Sequence, residues 1–238
     1  MKFAVFSDIH ANLEALETAV SFAEGRGIQR FVVLGDTIGY GADPNDCFEW
    51  VLNHASVNLF GNHERALIEP ELKNKFTPLA LEAIEWTGKI LKPKFIEKIP
   101  DLSYIHLEEG ITFTHGSPND PEAFHYLMSF EDAINSFQVL QTEICFVGHT
   151  HIPGCICEQK QSAEYLKPGI FTLETNERFI LNPGSVGQPR DLDPRLSFGI
   201  YDPEARTFEI VRLEYDNRKA AEKIRKAGLP SYLADRLL

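Results

Sequence analysis

Two side chains that bind divalent metals stand two residues apart near the start of the chain, in Asp8-Ile9-His10. They follow the short apolar run Phe3–Phe6, which predicts a β-strand. Because residues two apart in extended chain point the same way, a strand ending here would aim the carboxylate and the imidazole at one place. Alone, such a pair is more often a turn with a surface histidine, so it needs partners from elsewhere in the chain.

Four later apolar runs also end in side chains with ligating atoms. In open α/β sheets the carboxyl ends of the strands bind ligands, so these side chains are expected to converge. The set holds carboxylates, imidazoles and an amide but no thiolate, which suits Mn, Fe, Zn, Ni or Co. One ion needs only three or four protein ligands, so the number indicates two ions with a bridging carboxylate, an arrangement that hydrolyses phosphate esters. The candidates are Asp8, His10, Asp36, Asn62, His63, His115, His149 and His151.

The order of these motifs resembles that of the calcineurin-like metallophosphoesterases. That family carries D-x-H, G-D, G-N-H-[DE], a lone H and G-H-x-H in series. Over residues 6–151 the chain has Asp8-Ile9-His10, Gly35-Asp36, Gly61–Glu64, His115 and Gly148–His151 in the same order. The resemblance implies an α/β (α+β) fold, a four-layer αββα sandwich of two mixed β-sheets flanked by helices.

The resemblance also implies roles for these residues. A water or hydroxide bridging two divalent transition-metal ions has a lowered pKa and would attack phosphorus in line. His63 would stabilise the phosphoryl charge or protonate the leaving alkoxide, and Glu64 would orient an imidazole. One ion would be held by Asp8, His10, Asp36 and His151, and the other by Asp36, Asn62, His115 and His149. In isolation, Asp36 and Asn62 would more often be helix caps.

Three further residues are candidate substrate contacts. Protein Ser/Thr phosphatases and symmetrical dinucleoside tetraphosphatases have an Asp-Arg-Gly whose arginine binds phosphate, but Gly35–Pro44 lacks it, which disfavours both activities. Arg65 could contact phosphate, although an exposed helix face suits it slightly better. Tyr40 could stack on a base or simply be packed. Ser185, in the Gly-rich loop 182–187, could meet a phosphate or a ligand histidine, and a tight turn is at least as good an interpretation.

The elements that must position these residues alternate through the first half of the chain. Apolar spacing predicts helices over 12–22, 44–54, 80–90 and 129–140, with Asn12 as a cap, and strands over 56–60, 101–107, 110–115 and 144–147. From Cys155 onward, short β-like pieces between turns predict a mainly antiparallel second sheet, followed by a helical tail from 218. No linker or repeat interrupts the pattern, so residues 1–238 are expected to form a single domain.

Composition excludes several classes of protein. The formal charge of −12, from 35 acidic and 23 basic residues, lacks the basic footprint of a dedicated nucleic-acid binder. The first apolar run is too short for a signal peptide, and no stretch approaches the roughly 18 apolar residues of a membrane span. No cysteine pair has zinc-site spacing, so reduced thiols in a cytoplasmic protein without a membrane partner are expected. The cysteines are Cys47, Cys145, Cys155 and Cys157.

We therefore expect a binuclear metal-dependent phosphoesterase that hydrolyses a phosphodiester or nucleotide-like small molecule. Asymmetrical dinucleoside tetraphosphate hydrolysis and phosphomonoester hydrolysis remain open alternatives. A non-catalytic scaffold of the same fold, as in the retromer subunit, is disfavoured because such a scaffold is free to lose ligands or His63, and none is lost here. A homodimer is a modest expectation from the general frequency of two-fold oligomers.

Overall fold

Two six-stranded mixed β-sheets lie face to face with helices on their outer sides in the computed structural model, which describes residues 1–238. The strands are β1 (Phe3–Phe6), β2 (Phe31–Val33), β3 (Ala55–Asn58), β4 (Ile105–Glu108), β5 (Ile111–Thr114), β6 (Ile144–Phe146), β7 (Pro153–Cys157), β8 (Ser162–Tyr165), β9 (Gly169–Thr172), β10 (Phe179–Pro183), β11 (Leu196–Asp202) and β12 (Thr207–Leu213). The expected αββα sandwich is confirmed.

Eight α-helices surround the sheets, and three short 3₁₀ helices cover Pro70–Lys75, Ile99–Asp101 and Pro121–Ala123. The predicted helix over 44–54 is present with those bounds, and the Asn12 side chain caps the first helix by accepting a hydrogen bond from Ala15 N at 3.2 Å. None of the helices has both the length and the apolar character needed to cross a bilayer. The helices are α1 (Leu13–Gly25), α2 (Pro44–His54), α3 (Asn62–Ile68), α4 (Pro78–Ile90), α5 (Pro93–Ile96), α6 (Phe130–Val139), α7 (Asn217–Lys226) and α8 (Ser231–Asp235).

Each sheet mixes parallel and antiparallel pairs. The first sheet has the order β3-β2-β1-β11-β12-β9, in which β1 is parallel to β2 and antiparallel to β11. The second has the order β4-β5-β6-β10-β7-β8, in which β6 is parallel to both β5 and β10. The parallel strands β1, β2 and β3, and β5 and β6, therefore end at the edges where the sequence places the candidate ligands.

The expectation of a separate, mainly antiparallel sheet from Cys155 onward is wrong. Strands β9, β11 and β12 extend the first sheet, while β7, β8 and β10 extend the second. The reason is burial, since residues 196–201 of β11 are all buried and fit the centre of a covered sheet better than an outer layer. Strand β8 was not predicted, because its four residues form no apolar run and are mostly exposed.

Alternation along β1 shows how one apolar run is buried on both faces. Phe3 and Val5 enter the cluster between the two sheets, where the Phe3 and Phe113 ring centroids are 6.0 Å apart. Ala4 and Phe6 point the other way and pack with residues of α1 and α2. Burying a side chain of this size stabilises the fold by about 1.5–3 kcal/mol, so β1 is firmly placed before any ligand chemistry begins.

The C-terminal helices α7 and α8 pack against α4 through an apolar cluster that includes Ala83, Ile224 and Leu233. Ion pairs attach α7 to the first helix and to the loop before α2. Lys223 Nζ lies 2.6 Å from Glu14 Oε1 and 2.8 Å from Asp43 Oδ2. The tail of the chain is thereby held beside the segments that follow β1 and β2.

Candidate metal centre and adjoining cavity

Five chain segments bring the candidate ligands to one buried place. Asp8 and His10 follow β1, Asp36 follows β2, and Asn62 begins α3 after β3. The remaining three follow strands of the second sheet, so both sheets contribute to the cluster. These are His115 after β5 and His149 and His151 after β6.

Most of these ligands have backbone angles that residues with a side chain rarely adopt. Positive φ values between 49° and 66° occur at five of the seven candidates. Each such residue costs of the order of 1–3 kcal/mol and persists only where the surroundings hold it, as at functional sites. The five are Asp8, His10, Asp36, His149 and His151.

Two glycines of the motifs make room for the carboxylates. A Cβ atom added at Gly61 would overlap Asp36 Oδ1, and one added at Gly148 would overlap Ser7 Oγ and approach Asp8 Oδ2. The glycines are therefore required by close approach of the backbone to the acidic side chains.

The hydrogen bonds of three imidazoles fix which ring nitrogen is free. A backbone carbonyl can only accept, so the Nδ1 atom facing it must carry the proton. In the neutral ring, Nε2 then presents a lone pair to the centre of the cluster. The Nδ1 atom of His10 donates to Ile38 O (3.1 Å), that of His115 to Leu34 O (3.1 Å) and that of His151 to Gln188 O (2.6 Å).

The lone pairs face one another and the two carboxylates. The Nε2 atoms of His10 and His151 are 3.1 Å apart, and His151 Nε2 lies 3.2 Å from Asp8 Oδ1. His115 Nε2 lies 3.4 Å from Asp36 Oδ2. Two ligand atoms that bind the same cation with bonds of about 2.1 Å lie about 3.0–3.4 Å from each other. The spacings observed here therefore fit metal ligands. In their neutral forms the facing acceptors need a positive charge between them.

The electrostatics of the protein alone also favour a positive charge at the cluster. Burial acts to raise the pKa of Asp36, but His115 and His63 outweigh it and hold that pKa well below its usual range. Burial lowers the pKa of His115, yet the carboxylates of Asp36 and Asp8 more than offset this and hold it at about 9. Burial lowers the pKa of His149 to about 3, so that ring is neutral and ready to ligate at neutral pH.

Three of the polar atoms here are buried and have no hydrogen-bond partner in the protein: Asp8 Oδ1, Asn62 Oδ1 and His115 Nε2. Such orphaned atoms are costly unless something satisfies them. Acidic and imidazole ligand atoms also fall into three compact sets within 4.8 Å, which are Asp8, His10 and His151; His10, Asp36 and His63; and Asp36, His115 and His149. The residues present therefore fit divalent cations.

The family resemblance implied that Glu64 orients an imidazole, and the structure shows a different role. Its carboxylate accepts four backbone hydrogen bonds, which hold the turn after β2 against the start of α3. The donors are the amides of Asp36 (2.9 Å), Thr37 (2.8 Å), Ile38 (3.1 Å) and Gly61 (3.0 Å). Glu64 thus fixes the backbone of a ligand, because backbone amides are the donors that point towards it.

A model of the calcineurin-like phosphoesterase superfamily domain matches residues 1–206 of the chain. The chain belongs to this superfamily. A metallophosphoesterase from Sphaerobacter thermophilus has 36% identity to it, with a TM-score of 0.90 over 100% of this chain and 98% of that one. The resemblance to the family on which the sequence motifs rest is thereby confirmed.

Two further relatives of this calcineurin-like phosphoesterase domain are archaeal. An uncharacterized protein of Methanocaldococcus jannaschii is 37% identical, over 98% of this chain and 96% of its own length. A hypothetical protein from Pyrococcus horikoshii has a TM-score of 0.80 at 18% identity, over 99% of this chain and 97% of that one. The latter likeness shows the shared fold alone.

A cavity of about 410 Å³ opens beside the ligand cluster of the phosphoesterase domain. Asn62, His63 and His149 line its inner end, and Tyr40 lies with its ring centroid 4.6 Å from those of His10 and His63. Burial lowers the pKa of His63 to about 4, and its Nδ1 atom is buried without a hydrogen-bond partner. Tyr40 and His63 are therefore where a substrate in this cavity would meet the cluster.

Apolar and aromatic side chains form the outer part of the cavity. They come from the segment before α4, from the turn near 124 and from α8, which lies beyond the 206 residues of the family match. Tyr126 stacks on His149 with ring centroids 4.0 Å apart and remains half exposed. The main outer residues are Leu72, Phe76, Leu79, Phe124, Tyr126, Tyr232 and Leu233.

The structure places two of the candidate substrate contacts away from this cavity. Arg65 does not line it, because its guanidinium bonds to Glu69 (2.9 Å) and to Glu122 O (2.8 Å). Ser185 is fully buried, donates to Asp8 O at 2.8 Å and accepts from Gln188 N at 2.8 Å. The 182–187 loop therefore supports the backbone of a ligand from behind instead of facing a phosphate.

Sequence reasoning missed two contributors. Gln188 accepts the Nδ1 proton of His151 through its backbone oxygen, which leaves no trace in residue type. Arg190 lines the cavity but lies far along the chain from every motif of the first half. Its position in the Gln188-Pro189-Arg190 segment, directly after the Gly-rich loop, was the one available signal.

Proposed function

We propose that this protein is a metal-dependent phosphoesterase that hydrolyses phosphate ester bonds of a small molecule, most simply a phosphodiester or a nucleotide-like compound. The observation that carries the proposal is the convergence of imidazole lone pairs and carboxylate oxygens, 3.1–3.4 Å apart, at the inner end of an open cavity. Membership of the calcineurin-like phosphoesterase superfamily supports the same class of reaction.

The ligand groups support two cations that share Asp36. One would lie among Asp8, His10, Asp36 and His151, and the other among Asp36, Asn62, His115 and His149. Asp36 Oδ2 lies 3.7 Å from His10 Nε2 and 3.4 Å from His115 Nε2, and Asn62 Oδ1 is an orphaned buried acceptor. Bound divalent cations would lower the pKa of a coordinated water and neutralise charge on the phosphoryl oxygens.

His63 would serve the leaving group. Its backbone amide donates to Asp36 Oδ1 at 2.9 Å, which fixes the residue beside the shared ligand while its ring faces the cavity. Burial keeps the ring neutral on its own, because it lowers the pKa to about 4. An adjacent phosphoryl anion would raise that pKa, so that His63 could hold a proton for the departing alkoxide.

The outer cavity favours an ester with an apolar or aromatic group. Its volume of about 410 Å³ lies within the range of small-molecule sites, and Phe76, Tyr126 and Tyr232 offer rings against which a base could pack. The exposed cations Lys75 and Arg236 also line it. This combination supports a second candidate, asymmetrical hydrolysis of dinucleoside tetraphosphates, which would yield unequal nucleotide products.

The test is a substrate panel under defined metals. The purified protein is stripped with a chelator, reloaded with Mn²⁺, Ni²⁺ or Co²⁺, and assayed with bis-p-nitrophenyl phosphate, p-nitrophenyl phosphate and dinucleoside polyphosphates. We expect hydrolysis that depends on added metal and is lost in His63→Ala with its metal content intact. Absence of hydrolysis with every metal, in folded protein shown to be loaded, would rule the proposal out.

A further inference from the structure

Arg190 is fixed beside the candidate metal centre by the chain around it. Its backbone amide donates to His151 O at 3.3 Å, and the backbone oxygen of Gln188 accepts the Nδ1 proton of the same histidine at 2.6 Å. The segment that carries Arg190 is therefore bound to a candidate ligand at two points. Arg190 itself lines the cavity, as do Tyr40 and His63.

The charge of Arg190 is not neutralised within the protein. No carboxylate lies within 4.0 Å of its guanidinium, although the chain has an excess of acidic residues. Nη2 donates to Gln188 Oε1 at 3.3 Å, while Nε is buried and has no partner. An arginine held in this way retains donors and a full charge for something else.

The acidic neighbours of Arg190 are taken by other arginines. Asp191 pairs with Arg212, and Asp193 pairs with Arg195 at 2.6 Å. The acidic residues of the segment are thus engaged in ion pairs with other arginines. Arg190, which lines the cavity, is left without an acidic partner.

The surroundings of the guanidinium suit an anion. Arg190 lines the same cavity as the cations Lys75 and Arg236. Arg65, the other arginine considered for this role, is already engaged by Glu69 and Glu122.

We propose that Arg190 binds the phosphoryl group of the substrate, donating hydrogen bonds to its non-bridging oxygens. This proposal rests on the proposed phosphoesterase function and names the anionic group recognised, a phosphate ester or free phosphate. Arginine matches phosphate oxygens with several donors at once, and hydrogen bonds between charged groups are the strong ones. In related phosphatases the arginine of Asp-Arg-Gly binds phosphate, and Gly35–Pro44 lacks that arginine. Arg190 thereby supplies the missing cation from a later part of the chain.

The experiment titrates inorganic phosphate into metal-loaded protein by calorimetry and measures kcat and KM on bis-p-nitrophenyl phosphate. We expect Arg190→Met to weaken phosphate binding about 10- to 100-fold, with unchanged metal content and thermal stability. Arg190→Lys should recover part of the affinity, because it keeps the charge without the planar fork. The matched control is Arg195→Met, since Arg195 is paired with Asp193 and lies outside the cavity.

The outcomes separate this proposal from the proposed function. Phosphate binding in Arg190→Met equal to that of the wild type would overturn the role of Arg190, even if the enzyme is active. Loss of metal from both Arg190 variants would also overturn it, because the residue would then act on the ligands. If the wild type hydrolyses nothing, the proposed function fails, while the phosphate titrations still report on Arg190.

Discussion

The carboxylate of Glu64 accepts a 2.9 Å hydrogen bond from the backbone amide of Asp36, and both residues are buried. Asp36 sits in the left-handed region of backbone conformation, with φ at 52°. Glu64 also accepts from the two amides that follow and from Gly61, so it holds the strained turn from several sides. The orientation of this candidate metal ligand thus depends on an acid whose hydrogen bonds all come from backbone amides.

Glu64→Gln should weaken both the fold and metal binding. One carboxylate oxygen becomes an amide nitrogen, which would face backbone donors and leave them unsatisfied. We expect a loss of about 1.5–3 kcal/mol in the free energy of unfolding and about 10- to 100-fold in metal affinity. Urea denaturation and metal titration measure the two effects. The control is Glu82→Gln on exposed helix surface, and equal behaviour of the two variants would contradict the role of Glu64.

Asp36→Asn should lower the content of both cations, whereas His149→Ala should lower only one. The reason is that Asp36 Oδ2 lies near one histidine of each proposed cation site, His10 at 3.7 Å and His115 at 3.4 Å, whereas His149 belongs to one ligand set. Metal analysis after dialysis measures the stoichiometry, and added Mn²⁺ should raise the melting temperature of the wild type by mass action. Asp101→Asn, an exposed acid, serves as the control. Two tightly held ions in Asp36→Asn would refute a shared ligand.

The attachment of α7 should depend on pH through Glu14 and Lys223. Burial acts to raise the pKa of Glu14, but the ammonium groups of Lys223 and Lys219 outweigh it and lower that pKa. Glu14 therefore contributes stability above its ordinary pKa of 4.5, which is lost as pH falls through the lowered value. Burial acts to lower the pKa of Lys223, yet Asp43 and Glu14 raise it, so its contribution is lost only as pH rises above 10.5.

Lys223→Met should accordingly cost about 1–3 kcal/mol at pH 7, because it leaves the buried Glu14 without its nearest cation. The difference from the wild type should shrink in acid, once Glu14 is protonated. Burial raises the pKa of Asp43, which offsets part of this acid dependence. Urea denaturation at pH 3 and pH 7 measures the change, with exposed Lys226→Met as control. A difference that is independent of pH would contradict the assignment.

The cysteines should react slowly with thiol reagents in the native protein. Cys47 and Cys145 are fully buried, and burial raises the pKa of both thiols. Burial also raises the pKa of Cys155 to about 12, so little thiolate exists at pH 8. Titration with Ellman's reagent should find four thiols after unfolding in guanidinium. Rapid reaction of any thiol in the native protein would be contrary to this expectation.

Local patterns were sufficient to predict the ligand-bearing strand ends. Asp8 and Asp36 follow short apolar runs, and a strand buried on both faces can be read from such a run alone. The sheet to which each later strand belongs could not be predicted in this way, because β11 pairs with β1, which lies far away in the sequence. Its place is decided by which apolar surfaces remain uncovered, and that is a property of the assembled layers.

Side-chain partners outside the motifs were equally hidden. The Ser185 hydroxyl donates to the backbone oxygen of Asp8, and Gln188 accepts from His151 through its own backbone oxygen, so neither contact can be read from the motifs. The sequence allowed Arg65 to contact phosphate, but in the structure its guanidinium is paired with Glu69 and Glu122. Arg190 was visible as a charge, yet only the pairing of its neighbours in space shows that it has no acid of its own.

The pairing of β1 with β11 has a consequence for protein synthesis. β1 delivers Asp8 and His10, but one of its two neighbours, β11 at Leu196–Asp202, comes much later in the chain and is therefore synthesised much later. The backbone of Asp8 is likewise held by Gly187 N at 3.0 Å. A nascent chain that carries every ligand therefore still lacks the frame that aims the first of them. We therefore expect the candidate metal centre to form only after residues 187–202 have been synthesised.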